Sequence, residues 1–290
     1  MVEQATSLVL IGCGYLGGFI AQSPALNYPR VIAVVRSQQR VEFLRTKCRQ
    51  ITVADVFDQP MNYIEMAGGE GADAIFMIPP SAIDEPVLAI EKVVSDLVRN
   101  NCRRALLISS TGVYGRPDNE IVTAESVISP HDHRSERLAA IENTWLEGGE
   151  RFRILRLAGI YGPDRIIGKA RLRDGKPVGG EADAWLNLIH VADAASLSLR
   201  CLARDDSRVE LGADGNPSSR GEYYGFLAEL FGYQPPQFTG DEGGVTTGKL
   251  TRNSVSKKCD PSSTHLRLNW APQFKNYKMG IRGSMSTTEV

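Results

Sequence analysis

The chain has 290 residues, 42% of them hydrophobic, and sets 33 basic side chains against 34 acidic ones. So even a balance excludes a protein held on nucleic acid or on a membrane surface by its charge. No apolar run approaches the roughly 20 residues that cross a bilayer, and the five cysteines (13, 48, 102, 201 and 259) show neither CxxC nor CxxH spacing. Neither a disulfide framework nor a metal centre is expected, and a reducing, cytoplasmic setting is.

The first predicted strand is Leu8–Ile11, and it runs into GCGYLG, with glycines at 12, 14 and 17. Leu10-Ile11-Gly12-Cys13 mimics a lipoprotein cleavage box, but the preceding residues carry Glu3 and no Lys or Arg, and the apolar run is far too short. Four more short apolar runs follow: Val31–Val35, Ile51–Val53, Ala74–Ile78 and Ala105–Ile108. They are apolar on both faces, as strands buried in a parallel sheet are. Crossover helices are predicted over Gln38–Cys48 and Pro86–Asn100; in the second, Val87, Ile90, Val94 and Leu97 recur at helical spacing. A helix over Ser135–Glu147 leads to a sixth strand, Arg153–Leu157. The alternation implies an α/β fold, a Rossmann-type doubly wound parallel sheet with ligand at the carboxyl ends of its strands.

After Gly162-Pro163 the texture changes. Arg165–Glu181 is rich in Gly, Lys and Arg; Asn187–Val191 reads as a short strand, and Ala194–Leu202 and Glu222–Phe231 as helices. Gly232 and Pro235-Pro236 stop the last of these. Gly240–Gly248 reads as a flexible link and 284–290 as a disordered tail. Expected boundaries are a dinucleotide-binding domain over 1–165, to which 187–203 return, and a small C-terminal substrate lobe over 166–186 and 204–283. The basic run Lys169, Arg171, Arg173 and Lys176 fits an acidic substrate and a solvated face equally well.

A glycine motif between a strand and a helix lets backbone N–H groups approach a pyrophosphate. Gly12, Gly14, Tyr15, Leu16 and Gly17 are therefore cofactor candidates. An NAD enzyme places Asp or Glu after the second strand, where it holds the ribose 2′-hydroxyl. Here Arg36 and Ser37 stand there, with Arg40 nearby. A guanidinium grips a 2′-phosphate that a carboxylate repels, so NADP is expected over NAD. Ile78, Pro79 and Pro80, after the fourth strand, complete the expected contacts on this side.

On these segments the chain resembles the extended short-chain dehydrogenase/reductases of the epimerase/dehydratase family, from about residue 7 to about residue 280. The resemblance rests on the glycine motif, Asp55-Val56 and Ser109-Ser110-Thr111-Gly112-Val113-Tyr114-Gly115. It also rests on Arg156-Leu157-Ala158-Gly159-Ile160-Tyr161-Gly162-Pro163 and Asn187-Leu188-Ile189-His190-Val191-Ala192-Asp193. It implies that Asp55 and Val56 flank adenine, that Ser109 and Leu157, Ala158 and Gly159 lie by the cofactor, and that Ser110 hydrogen-bonds a substrate oxygen. His190 and Asp193 read as architectural. The resemblance also implies pairing through two helices of the cofactor domain, so a homodimer is a candidate assembly, although Ser135–Glu147 shows no decisive second apolar face.

The departures from the family bear on activity. Its members carry a Tyr and, one helical turn later, a Lys whose charge lowers the phenol pKa. Counted back from Glu142, those positions fall on Arg134 and Leu138. Arg, with a pKa above about 12, is no general acid. This resembles the atypical branch, which keeps the fold and loses the pair. Substitute groups are Thr111, Tyr114, His133, whose type titrates near neutrality, and Tyr161. Where nucleotide-sugar enzymes carry an Arg, this chain has Trp185-Leu186-Asn187, so a nucleotide sugar is not expected. The expected activity is an NADP(H)-dependent oxidoreductase or epimerase-like enzyme on a small carbonyl or alcohol. The alternatives are a non-catalytic NADP-binding sensor or scaffold, or an isomerase or cyclase with a structural cofactor.

Overall fold

The computed structural model describes residues 7–48, 50–58, 60–67, 71–115, 119–204, 207–240 and 255–285. The expected link beyond Gly240 and the tail from 286 lie outside them. Seven strands form one parallel sheet: β1 Ser7–Ile11, β2 Arg30–Val35, β3 Gln50–Val53, β4 Asp73–Phe76, β5 Arg104–Ser110, β6 Phe152–Leu157 and β7 Val209–Gly212. Their order is β7-β6-β5-β4-β1-β2-β3. The order reverses beside β1, which is where such sheets open a crevice. Register aligns the exits: Ile11 stands opposite Val34 on one side and Phe76 on the other. β4 ends two residues before the expected Ile78, which frees Met77 to Pro80 to form the loop beside that crevice.

The main helices are α1 Tyr15–Ala21, α2 Gln38–Leu44, α3 Pro86–Arg99, α4 His133–Leu146, α5 Val191–Leu202, α6 Arg220–Phe231 and α7 Tyr277–Ser284. Pro86 opens α3 where its missing N–H costs nothing. A reciprocal cap between Ser219 and Glu222 starts α6, and Gly232 in the left-handed region stops it. Ser284 belongs to α7, which corrects the expectation that the tail begins there; its hydroxyl donates back to the Gly280 carbonyl at 2.7 Å.

Packing divides the chain into two compact units. The first comprises 1–110, 137–156 and 194–210; the second comprises 111–136, 157–193 and 211–290. Segments 111–136 and 157–165 thus pack with the second unit rather than within an unbroken 1–165, and 194–203 with the first. The first unit's core joins Val9, Ile11, Ile32, Val34 and Phe76 of the sheet to Ile90, Val93 and Leu97 of α3 and to Ile141 and Trp145 of α4. Trp145 is fully buried, edge-on to Phe152, with its indole N–H on the Arg153 carbonyl at 3.0 Å. The second unit's core centres on Tyr161, Leu188, Tyr223, Leu227, Tyr277 and Ile281.

One charged network crosses the first core. The Ser109 hydroxyl donates to Glu142 Oε1 at 2.5 Å, and Arg156 grips the same carboxylate from Nε and Nη2 at 3.1 and 2.7 Å. All three groups are buried. Glu142→Ala strands a buried guanidinium and is expected to cost about 3–5 kcal/mol. Glu142→Met combined with Arg156→Leu should recover most of that loss. Urea unfolding of the three proteins checks it; equal stabilities for the single and double variants would show that the charge is solvated after all.

Candidate cofactor site

Beyond Ile11 the chain turns sharply, and two consecutive amides, of Gly12 and Cys13, donate to the same carbonyl of Val34 at 3.0 and 3.1 Å. Gly12 takes φ +76°, and a Cβ there would run into Ile78, whose amide nitrogen would stand 3.1 Å away. Only glycine meets both conditions. Across β1, the Met77 amide donates to the Ile11 carbonyl at 2.9 Å, so the loop after β4 is held against the turn.

These loops enclose a cleft of about 260 Å³ at the carboxyl ends of β1–β4. Of the expected cofactor residues, Gly12, Gly14, Arg36, Ser37, Arg40, Asp55, Val56, Ile78 and Pro79 line it. Tyr15, Leu16, Gly17 and Pro80 do not. Cys13, Val34, Val35, Ala54, Phe57 and Ala82 also line it and were not foreseen; each adjoins an expected residue on the same turn or strand end, which is the signal they left in the sequence. Ser109 does not line it, because its hydroxyl points inward to Glu142. On a strand, neighbouring side chains point to opposite faces, so Ser110 lies on the other face from Ser109.

The cleft is apolar at its base and polar at its rim. Asp55 Oδ1 accepts the Phe57 N–H at 3.0 Å, a local turn that shapes the β3 side. Ser37 begins α2 without a side-chain cap hydrogen bond. Arg36 and Arg40 are exposed, and neither has an ion-pair partner among the described residues. Two exposed guanidiniums and a hydroxyl thus stand over an apolar cleft closed by a glycine turn.

The sequence model of the NAD dependent epimerase/dehydratase family matches residues 8–212. The chain belongs to that family. Members bind a nicotinamide dinucleotide on this fold. Protein YeeZ of Escherichia coli K12 is 26% identical over 250 residues, which are 80% of this chain and 86% of YeeZ. A functionally unknown conserved protein from Silicibacter pomeroyi superposes with a TM-score of 0.78 at 22% identity, over 98% of this chain and all of that one. MoeE5, solved in complex with UDP-glucose and NAD, gives 0.74 at 19% identity over 96% of each chain. The two structural likenesses are likenesses of fold.

The positions where the sequence reading expects the family's Tyr and Lys fall on α4. Arg134 is exposed in its first turn, and Leu138 is buried with Ala139, Ile141 and Trp145. The Lys position is therefore part of a packed apolar face. His133 opens the helix and is exposed. His131, which the sequence reading passed over, is the better held of the two. Its ring is buried, with Nδ1 3.4 Å from the Ser135 hydroxyl and Nε2 3.6 Å from Asp132 Oδ2. Burial pushes its pKa down, Asp132 opposes, and the Lys257 charge pushes it down further.

The second unit holds the remaining candidates. The Thr111 hydroxyl is hydrogen-bonded to the Cys259 thiol. Tyr114 is fully buried and its backbone bridges to Ser129. Leu157 and Ala158 are buried where the Ala158 amide meets the Gly212 carbonyl at 2.8 Å, and the Gly159 amide meets the Asn187 carbonyl at 3.0 Å. Tyr161 is corrected from a candidate acid to a core residue: it is fully buried, its hydroxyl donates to the Asn276 carbonyl at 3.3 Å, and burial drives its ionisation well above the usual phenol range. Lys169 lies 4.0 Å above the Phe231 ring, Arg171 bonds the Pro177 carbonyl, and Arg173 and Lys176 pair with Asp174. The basic run is thus largely engaged within its own unit.

His190 and Asp193 tie down the C-terminal segment. Asp193 accepts the Gln273 and Phe274 amides at 2.7 and 3.0 Å, and His190 Nε2 lies 3.0 Å from the Ser284 hydroxyl. Nearby, burial raises Asp214 to about 7, with the Asp193 charge adding to it. The folded protein therefore keeps a proton on Asp214 up to about pH 7, whereas the unfolded chain releases it near 4. Folding binds a proton across that window, so stability falls as pH rises from about 4 to about 7. Asp214→Asn removes this fall. Its advantage over the parent should grow across the window and level off above it, at a few kcal/mol in order of magnitude. Urea unfolding at pH 5 and pH 8 measures it; the same advantage at both would show an ordinary carboxylate.

Proposed function

We propose that this protein is an NADP(H)-dependent oxidoreductase or epimerase-like enzyme acting on a small carbonyl or alcohol. One observation carries the cofactor choice: Arg36 and Arg40 stand unpaired, among the described residues, on the rim of the cleft with Ser37 between them in sequence, and no carboxylate follows β2. In this reading Arg36 grips the 2′-phosphate, assisted by Ser37 and Arg40. Asp55 and Val56 bound the adenine, and the turn at Gly12 and Gly14 admits the pyrophosphate. MoeE5 carries NAD, so the choice here rests on this chain's own arginines.

The bound nicotinamide would supply hydride transfer. The chain's part is to orient the substrate and handle its oxygen. Ser110 or Thr111 polarises that oxygen, and the proton comes from His133 or from water, since neither Arg134 nor Leu138 can deliver one. A nucleotide sugar is disfavoured by Asn187, whose amide is spent on the Lys257 carbonyl at 2.9 Å and the Cys259 amide at 2.7 Å. Five free cysteines fit a cytoplasmic protein. A homodimer through α3 would cover Val87, Leu88 and Val98, which are exposed.

A second reading has support of its own. Burial of Leu138 within the α4 face favours a non-catalytic NADP sensor or scaffold, or an isomerase or cyclase with a structural cofactor. Calorimetric titration with NADP⁺, NADPH, NAD⁺ and NADH tests the cofactor. Arg36→Asp should weaken NADP(H) about 10–100-fold, the worth of a charged hydrogen bond, and leave NAD(H) no weaker. Absence of binding to all four would remove the oxidoreductase reading. NADPH consumption across a panel of small carbonyls then separates enzyme from sensor, because a sensor binds the two redox forms unequally and consumes neither.

A further inference from the structure

The loop after β4 gives Ile78, Pro79 and Ala82 to the cleft, but little in its own backbone holds it there. Pro79 and Pro80 carry no N–H to donate. At the start of the loop the Met77 amide is fixed to the Ile11 carbonyl at 2.9 Å. Beyond it, Pro80–Ala82 form one turn of 3₁₀ helix. That turn is closed by the Ala82 amide on Pro79 at 2.9 Å and the Ile83 amide on Pro80 at 3.2 Å. A lone turn of this kind has poorer hydrogen-bond geometry than an α-helix and is a weak stiffener.

A stronger anchor comes from α4. Arg137 Nη2 donates to the Pro80 carbonyl at 3.1 Å and also to the Ile83 carbonyl, so one nitrogen ties together both ends of the turn. The contact lies wholly within the first unit. Its base is rigid, because Ile141 and Trp145 set α4 in the core and Arg156 holds Glu142. Arg137 is half-buried and does not line the cleft; it reaches the loop from behind. A guanidinium suits the task, being always charged and donating to carbonyls through strong charge-assisted bonds. On the β3 side, Lys92 donates to the Phe57 carbonyl at 3.2 Å, but it is exposed, and water competes for that carbonyl.

We infer that Arg137 is a positioning residue for the dinucleotide: it clamps the 78–83 loop against the glycine turn and sets the width of the cleft without touching its occupant. Ile78 fills the space that a Cβ on Gly12 would need, so the loop and the turn are in direct contact. Without the guanidinium the Pro80 and Ile83 carbonyls lose a charged donor. The loop is then held at Met77 and free to swing about it, carrying Ile78, Pro79 and Ala82 with it. Binding must then order that wall, and the ordering lowers affinity. Val34, Val35, Ala54 and Val56 border the same space, so the loss falls on whatever part of the ligand lies among them. That part is the adenine half if the nucleotide reading above holds; the clamp itself does not rest on that reading.

Two substitutions in the full-length protein test it. Arg137→Met keeps the aliphatic stem and removes the donors; Arg137→Lys returns a charged donor, and Arg137→Gln stands in if the Met variant misfolds. Hydrogen–deuterium exchange of the unliganded proteins reads the amides of Ser81, Ala82 and Ile83. They should exchange about tenfold faster in Arg137→Met, the lower end of what a charged hydrogen bond is worth, and slow again in Arg137→Lys. Amides of α3 and α4 should not change. Calorimetric titration should show NADP⁺ and its adenine-half fragment 2′,5′-ADP both weakened about tenfold in Arg137→Met, with part of the loss recovered in Arg137→Lys. Unchanged exchange at 81–83 overturns the clamp. So does faster exchange spread over the whole protein with no recovery by lysine, which marks a merely structural residue. Faster exchange at 81–83 with unchanged affinity overturns the control of binding. If the parent binds neither compound, the nucleotide reading fails, while faster exchange confined to 81–83 still supports the clamp.

Discussion

Two N–H groups on one carbonyl organise this molecule. Because Gly12 and Cys13 both donate to Val34, the chain leaves β1 by doubling over the end of β2, and it does so at a positive φ with Ile78 directly alongside. The parallel register that sets Ile11 level with Val34 and Phe76 makes the geometry possible. Nothing with a side chain fits at Gly12. The base of the cleft is consequently backbone and small apolar groups, and chemical selectivity is left to its rim. That rim holds two arginines and a serine on the β2 side and an aspartate on the β3 side whose carboxylate is turned to its own backbone.

The second constraint is electrostatic and sits in the core. Arg156 lies in a strand that is otherwise nearly all apolar, and Glu142 on a helix face among Leu138, Ile141 and Trp145. Neither charge is tolerable alone in such surroundings. Each is retained because the other is present, with Ser109 adding one more donor. The network fixes α4 to β5 and β6 through directional bonds as well as apolar packing. It also turns Ser109 away from the cofactor side, which leaves Ser110 as the hydroxyl of β5 on the opposite face.

The sheet was largely legible because its strands are short, apolar and separated by glycine turns, so periodicity and punctuation agree. The cleft was legible for the same reason: GCGYLG and Val35-Arg36-Ser37 are local signals, read where they occur. What escaped was non-local. The Glu142–Arg156 pair shows in sequence only as two charges in apolar surroundings 14 residues apart, and nothing in the chain says that they meet. Tyr161 occupies a familiar motif, but its burial depends on Asn276 and Gly280, more than a hundred residues away. His131 and His133 are equivalent by pattern and differ because His131, just before α4, is turned inward, whereas His133 opens the helix and faces solvent. The division into units is non-local too, since 111–136 follows β5 in the chain yet packs with residues beyond 157.

The lost acid–base pair is a loss of two coupled parts. A phenol near its ordinary pKa of about 10 gives up its proton readily to a developing alkoxide only if a neighbouring cation lowers that value. On α4 the cation's place is taken by Leu138, and that side chain now belongs to the core that positions the helix. Restoring a tyrosine at Arg134 would supply a phenol without its cation. Restoring the lysine would bury an ammonium in an apolar face, where desolvation would lower its pKa or unfold the helix. The two positions cannot be regained one at a time. The cleft and α4 thus differ: the cleft has its glycine turn and a rim of arginines, serine and aspartate, while α4 buries an apolar side chain at Leu138. Any reaction catalysed here must draw its proton from outside that helix face, which is why the identity of the bound dinucleotide, and not the vanished pair, is the firmer guide to what the protein does.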